Sequence, residues 1–139
     1  MEWMAYALVS AGAAALTAIL AKVGVEGVPS NLATAIRTAV VVVFAWSIAA
    51  ARGEHHRVGD LSRRSLAFLA LSGVATGISW LAYFRALQLA PASRVAPIDK
   101  LSLPLTIVLA ALLLGEPVGW RLAIGVSLMA AGALLTLAA

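Results

Sequence analysis

The sequence has no cysteine and few charges. The absence of cysteine among its 139 residues excludes disulfides and thiolate metal sites. Charged residues make up 12% of the chain, against about 25% in a typical soluble domain. Hydrophobic residues make up 63%, and the mean hydropathy is +1.00. A soluble chain of this composition would expose large apolar patches, whereas a bilayer solvates them, so the composition indicates an integral membrane protein.

The sequence also lacks the motifs of several functional classes. It contains no Walker loop, dinucleotide fingerprint, metal-ligand spacing or nucleophile constellation, so we predict no cofactor, no metal and no enzymatic activity. The formal net charge is +4, but the basic residues are scattered at the ends of apolar stretches. A nucleic-acid reader carries a dense basic stripe on a soluble face, and we therefore expect no nucleic-acid partner.

Five long apolar stretches make up most of the chain. A spanning helix needs about 20 mostly apolar residues to cross about 30 Å of hydrocarbon. Such stretches lie near residues 3–21, 32–51, 65–87, 95–114 and 118–139. Lipid offers backbone groups no partner, and no stretch alternates with period two, so helices are favoured over strands. We predict an all-α membrane protein with one transmembrane domain over residues 1–139. The first stretch lacks a positive n-region and carries Glu2, so we expect it to remain as a span rather than act as a signal peptide.

Three connections carry helix-end signals. Ser30 or Asn31 suits the N-cap of the second helix. Gly115 suits the C-cap of the fourth helix, and Pro117 suits the first position of the fifth.

The distribution of Lys and Arg predicts a weak orientation preference. The polar loop 52–64 holds four arginines, and the positive-inside rule places this loop and the N-terminus in the cytoplasm. Adding Arg121 gives five cationic residues on that side. The other side also has five: Lys22, Arg37, Arg85, Arg94 and Lys100. Without Arg37 and Lys100, which lie inside the apolar runs, the count is five against three. Either way the bias is weak, and a weak bias permits insertion in both orientations.

Charged residues also fall inside the predicted spans, where each costs about 2.5–3.5 kcal/mol on insertion scales. They are Arg37, Arg85, Asp99 and Lys100. One interpretation is a polar vestibule that binds a substrate, with Asp99 paired to Arg37 or Lys100. The alternative is structural: Arg85 reaches the membrane interface, and an Asp99–Arg37 pair only joins two helices. We favour function for Arg37, Asp99 and Lys100.

The fourth stretch carries further signs of a cavity. Pro97 and Pro104 each remove a backbone donor and disturb the helix. Interrupted helices in membranes occur where backbone lines a cavity or is satisfied by neighbours. The spacing of Asp99, Ser102 and Thr106 predicts that they share one helix face.

The third and fifth stretches carry patterned faces. Ser72, Thr76, Trp80 and Tyr83 form one stripe on the third. Trp80 and Tyr83 either stack on a substrate or belong to an aromatic belt at the interface. Beside them, Gly73 and Gly77 form a G-x-x-x-G pair. The fifth stretch carries the small residues Gly125, Ser127, Ala131 and Gly132. Small residues let helix backbones approach closely, within one chain or across a dimer.

Several runs resemble a known family. Residues 83–97, YFRALQLAPASRVAP, resemble a junction in EamA-type transporters of the drug/metabolite transporter superfamily. Residues 112–117, LLLGEP, resemble that family's leucine-rich stretch ending in Gly-Glu. Residues 30–38, SNLATAIRT, and 99–102, DKLS, resemble its short, single-repeat members. The resemblance covers the whole chain and implies five transmembrane helices forming one EamA-like repeat.

The resemblance also implies a function. Larger members join two inverted repeats into ten spans around a central path, so a lone repeat resembles half a transporter. It implies a dual-topology, antiparallel homodimer that moves a small polar metabolite across a bacterial or archaeal cytoplasmic (inner) membrane by alternating access. The implied partners are a small-molecule solute and membrane lipid, and the implied substrate site comprises Arg37, Trp80, Tyr83, Arg85, Asp99, Lys100, Ser102 and Thr106.

Other readings stay open at this point. One is a non-transporting scaffold or a subunit of a hetero-oligomer, and another is a lipid-headgroup translocator. The chain differs from the related small multidrug resistance proteins, which have four spans and a glutamate within the first, where this chain has residues 13–17, AAALT. The surplus of cations near Asp99 favours an anionic or zwitterionic solute.

Overall fold

Helices make up most of the part of the chain that the structure describes. The computed structural model describes residues 2–137. Its elements are α1 (Glu2–Gly24), α2 (Ser30–Ala51), a 3₁₀ segment (Glu54–Asp60), α3 (Arg63–Leu89), α4 (Ala92–Asp99), α5 (Ser102–Leu109), a π-helical turn (Ala110–Leu114) and α6 (Trp120–Leu135). No strand occurs among these described residues, so the prediction of an all-α protein is confirmed.

The apolar stretches form helices of membrane-spanning length. Within residues 2–137, four helices are long and apolar enough to cross a bilayer: α1, α2, α3 and the stretch Ala92–Leu114 that includes α4, α5 and the π turn. Helix α6 is apolar but shorter, at 16 residues. It lies within the predicted span 118–139, of which Ala138 and Ala139 fall outside the described residues. Length and composition together make the chain an all-α membrane protein.

Of the three helix ends predicted from the sequence, the structure confirms one and contradicts two. Gly115 is the C-cap of the π turn with a φ of 68°, as predicted, because only glycine adopts this left-handed conformation without strain. The N-cap prediction for α2 was wrong by a residue: Pro29 is the N-cap, and Ala33 N–H donates to its carbonyl at 2.9 Å. The prediction for Pro117 was also wrong, since Gly119 is extended and α6 begins at Trp120.

The fourth span is broken in the middle. Lys100 and Leu101 form a turn between α4 and α5. Pro104 has no N–H to donate to the Lys100 carbonyl, and its ring would clash there; Leu103 N–H bonds that carbonyl instead, at 3.0 Å. The predicted disturbance by Pro104 is confirmed. Lys100 and Leu101 keep right-handed helical dihedral angles through the turn, and the single face expected for Asp99, Ser102 and Thr106 stays a prediction.

The contacts of the chain divide it into two compact units. One unit covers Leu20–Gln88, and the other covers residues 2–19 and 89–137. In the Leu20–Gln88 unit the buried apolar side chains are Ala21, Val25, Ala33, Phe84 and Leu87. They come from the end of α1, the α1–α2 connection, the start of α2 and the end of α3, so this unit is most tightly packed where those segments meet. In the other unit α6 contacts α4 and α5 and buries Ala133.

Most apolar side chains along the spans are exposed. Phe44 on α2 is 67% exposed, and Leu71 and Ile78 on α3 are each 65% exposed. In a membrane protein, such faces contact lipid or the helices of another subunit, because contact between apolar side chains and water is unfavourable.

Candidate functional site

An arginine within a span lies against an aromatic face. The Arg37 Cζ atom is 4.0 Å from the centroid of the Trp80 ring and 5.5 Å from that of Phe84. Trp80 and Phe84 are four residues apart on α3, so they share one face. Cation–π contacts contribute about 0.5–2 kcal/mol, and more where water is excluded. The embedded charge therefore has an aromatic partner in the Leu20–Gln88 unit.

The position of Arg37 suits contact with a solute. It is two turns into α2, which begins at Ser30, and it is half-buried. A guanidinium can stack one face on a ring while its edge donates to a carboxylate or phosphate. The Cζ atom lies over the Trp80 ring, a contact that uses no N–H donor in a conventional hydrogen bond. The Arg37–Trp80 pair can therefore bind an anionic group at this depth.

A second polar cluster lies at the end of α3. Arg85 Nη1 donates to Gln88 Oε1 at 3.1 Å, and Gln88 Nε2 donates to the Val28 carbonyl at 2.6 Å. Lys22 Nζ donates to the Leu87 carbonyl at 2.5 Å, where a cation also complements the negative end of the α3 dipole. These bonds tie α1 and the α1–α2 connection to the end of α3. Lys22 thus binds a backbone carbonyl at the interface.

The other unit holds the ion pair at the broken helix. Lys100 Nζ lies 3.1 Å from Asp99 Oδ2, and the two side chains are 53% and 35% exposed, respectively. Of the two partners predicted for Asp99, Lys100 is the one with which it forms this ion pair. Neither side chain is fully buried within the described chain, so other groups can reach both charges.

Threonine hydroxyl groups on α5 and α3 donate hydrogen bonds to carbonyl groups of their own helices. Thr106 Oγ1 donates to the Ser102 carbonyl at 2.8 Å, and both residues are exposed. Thr76 on α3 makes the same bond to the Ser72 carbonyl, at 2.9 Å. In both threonines the hydroxyl proton is used in this bond, while the oxygen can still accept a hydrogen bond.

The structure groups the predicted site residues by unit. Arg37, Trp80, Tyr83 and Arg85 belong to the Leu20–Gln88 unit, where Tyr83 is half-buried on α3. Asp99, Lys100, Ser102 and Thr106 belong to the other unit. Sequence reasoning missed Phe84 and Gln88, although their spacing of four from Trp80 and Phe84 respectively was a usable signal.

The small residues of α6 face open space. Gly125, Ser127, Ala131 and Gly132 are all exposed. A Cβ atom placed on Gly125 or Gly132 would meet no other atom within 4 Å. Gly73 and Gly77 on α3 are open in the same way. The surface that these glycines offer for close helix approach is therefore unoccupied within the described chain.

The described part of the chain holds no candidate metal centre. Among residues 2–137, no three His, Cys, Asp or Glu side chains come together in a way that could hold a metal ion. The ring centroids of His55 and His56, both exposed in the 3₁₀ segment, are 3.8 Å apart.

Comparison with known proteins supports a membrane transporter. The profile of the EamA-like transporter family matches residues 1–138. A Sinorhizobium protein named "Uncharacterized transporter in cobO 3'region" is 50% identical over 134 residues, which cover 96% of this chain and 95% of the relative. No solved structure matches the chain. A transporter of this kind acts on a small-molecule solute and contacts membrane lipid. The chain therefore belongs to the EamA-like transporter family, as a membrane transporter built of apolar helices.

Proposed function

We propose that the chain is half of a transporter and that two copies in opposite orientations form a homodimer in the cytoplasmic membrane. The dimer moves a small anionic or zwitterionic metabolite by alternating access, in which two inverted repeats rock around a site between them. The substrate path uses Arg37, Trp80, Tyr83 and Arg85, together with Asp99, Lys100, Ser102 and Thr106.

The observation that carries this proposal is the stacking of Arg37 on Trp80 inside a span. A charge there is expensive and marks a substrate or ion pathway more often than a lipid-facing position. The aromatic ring holds the cation without neutralising it, whereas a carboxylate partner would have cancelled it. The pair therefore remains attractive to an anionic group of a solute.

The need for a second copy follows from the exposed faces. Ser102 and Thr106 are exposed on an otherwise apolar helix, and Gly125 and Gly132 present open backbone. Lipid offers no partner to the Ser102 hydroxyl or to the acceptor capacity of the Thr106 oxygen, and small residues favour tight helix contacts. Another helix of a second copy would satisfy both. The weak difference in cation number between the two sides supports opposite orientations of the copies.

The decisive test is solute flux in liposomes that contain only this chain. A panel of labelled amino acids, carboxylic acids and organic phosphates is compared with a quaternary amine, in wild type and in Arg37→Gln. We expect saturable uptake of one anionic or zwitterionic class, lost in Arg37→Gln while the variant stays folded. Absence of flux for every class would support the scaffold or hetero-oligomer reading instead. Transfer of labelled phospholipid between leaflets, without solute uptake, would identify a lipid-headgroup translocator.

A further inference from the structure

A cavity of about 390 Å³ lies at the end of the Leu20–Gln88 unit. Its lining residues come from the α1–α2 connection, the first turn of α2 and the last turns of α3: Gly27, Val28, Pro29, Ser30, Asn31, Arg85 and Gln88. Arg85 is four residues before the end of α3 at Leu89, about 6 Å along the helix axis. The cavity therefore lies near the end of a spanning helix, where the phosphate layer of a bilayer meets water.

Its single charged lining residue is a cation. Arg85 carries five N–H donors in a planar fork, and the bond to Gln88 uses the Nη1 atom. Arg85 is exposed, so its other donors are accessible from the cavity. No acidic residue is among the lining residues, and Ser30 and Asn31 add a hydroxyl and a carboxamide. This set of donors suits an oxyanion.

The guanidinium is held in place before any ligand arrives. Gln88 accepts from Arg85 and donates to the Val28 carbonyl at 2.6 Å, so it links the Arg85 side chain to the α1–α2 connection. Lys22, bonded to the Leu87 carbonyl in the same unit, adds a second positive charge near this end of α3. A side chain fixed in advance loses less entropy on binding.

We propose that this cavity binds a phosphate group through the Arg85 guanidinium, assisted by Ser30 and Asn31. The group is carried either by a membrane lipid headgroup or by a free solute. A bidentate arginine–phosphate contact gives both geometry and strength. This site shares Arg85 with the proposed substrate path and in that respect rests on the proposed function, but its occupancy can be measured without transport.

Binding by the purified full-length protein tests the proposal without any flux measurement. Inorganic phosphate is titrated in a neutral detergent by calorimetry, and retention of phosphatidylglycerol or of phosphate-free diacylglycerol is compared by native mass spectrometry. We expect Arg85→Gln to weaken binding about ten- to a hundredfold, the scale of charged hydrogen bonds. Asn31→Asp, an isosteric change at an exposed lining residue, repels the anion and gives a similar loss even if Arg85→Gln is poorly folded.

Arg64→Gln is the matched control, because it removes the same charge from the other end of α3. It should bind like wild type. Phosphate binding without selective retention of phosphatidylglycerol assigns the site to a solute, and selective retention without phosphate binding assigns it to lipid. The proposal is overturned if neither probe binds the wild type, or if Arg64→Gln reduces binding as much as Arg85→Gln and Asn31→Asp.

Discussion

The guanidinium of Arg37 lies 4.0 Å from the centroid of the Trp80 ring and connects α2 to α3 within one compact unit. The two residues are far apart in the chain, and the contact places a full positive charge on an apolar helix face. An aromatic face stabilises a cation without removing its charge. The first prediction tests whether this contact serves the proposed solute binding or only joins the two helices.

Removing either member of the pair should reduce solute flux. We expect Arg37→Gln and Trp80→Leu each to lower uptake about tenfold or more, equivalent to about 1.4 kcal/mol. Trp80→Phe should lower solute uptake less than Trp80→Leu, because a smaller aromatic face remains. Trp46→Leu on α2, where the tryptophan is 54% exposed, is the control and should transport normally. Uptake that is unaffected by Arg37→Gln would mean that the pair only joins helices.

The ion pair at the helix break should matter for transport. It lies on a membrane-spanning stretch, and removing one partner leaves the other charge unpaired, which destabilises by about 3–5 kcal/mol where that charge is buried. We expect Asp99→Asn and Lys100→Ala to impair solute uptake in protein that is still folded and inserted, with folding checked separately by circular dichroism. Lys100→Arg keeps the charge and should retain most activity. Normal uptake by both neutralising variants would place the substrate path elsewhere.

Both orientations should be present in the membrane. The natural sequence has no cysteine, so Gly59→Cys in the 3₁₀ segment and Glu26→Cys in the α1–α2 connection give single reporters. An impermeant maleimide added outside sealed cells should label part of each population, and permeabilisation should expose the rest. If each site is labelled from one side only, and from opposite sides, the copies share a single orientation.

Helix α6 should hold the dimer together. A Cβ atom at Gly125 or Gly132 meets nothing within 4 Å in its own chain, so Gly125→Leu and Gly132→Leu should leave the subunit fold intact. We expect both to shift the protein from dimer to monomer, measured by cross-linking in a bilayer mimic. Gly12→Leu on α1, which is equally open, serves as the control. A dimer sensitive only to Gly73→Leu would move the contact to α3.

The buried end of α3 should dominate the stability of its unit. Leu87 is 0% exposed, and Leu87→Ala should reduce the free energy of unfolding by about 2–5 kcal/mol through lost burial and a residual cavity. Leu89→Ala, two residues on and 71% exposed, should change it by about 0.5 kcal/mol or less. Unfolding in mixed detergent micelles, followed by circular dichroism, measures both. Equal effects would contradict the packing described at this end.

The membrane class, the helical character and the positions of most helices were readable from the sequence. Hydropathy is a local property, and a run of about 20 apolar residues has few alternatives to a spanning helix. The left-handed cap at Gly115 and the helix disturbance before Pro104 could also be predicted from the sequence, because each depends on the backbone chemistry of one residue. The family resemblance also rested on short runs of sequence, such as residues 83–97 and 112–117.

The partner of each embedded charge was decided only in three dimensions. Sequence spacing left Asp99 with two candidate partners and gave Arg37 no aromatic one, because the rotation and register of two helices depend on packing between segments distant in the chain. The tertiary structure placed Arg37 on Trp80, braced Arg85 through Gln88 against Val28, and formed the cavity beside it. Local propensity determines where helices lie along the chain, whereas only the contacts between them determine which side chains meet.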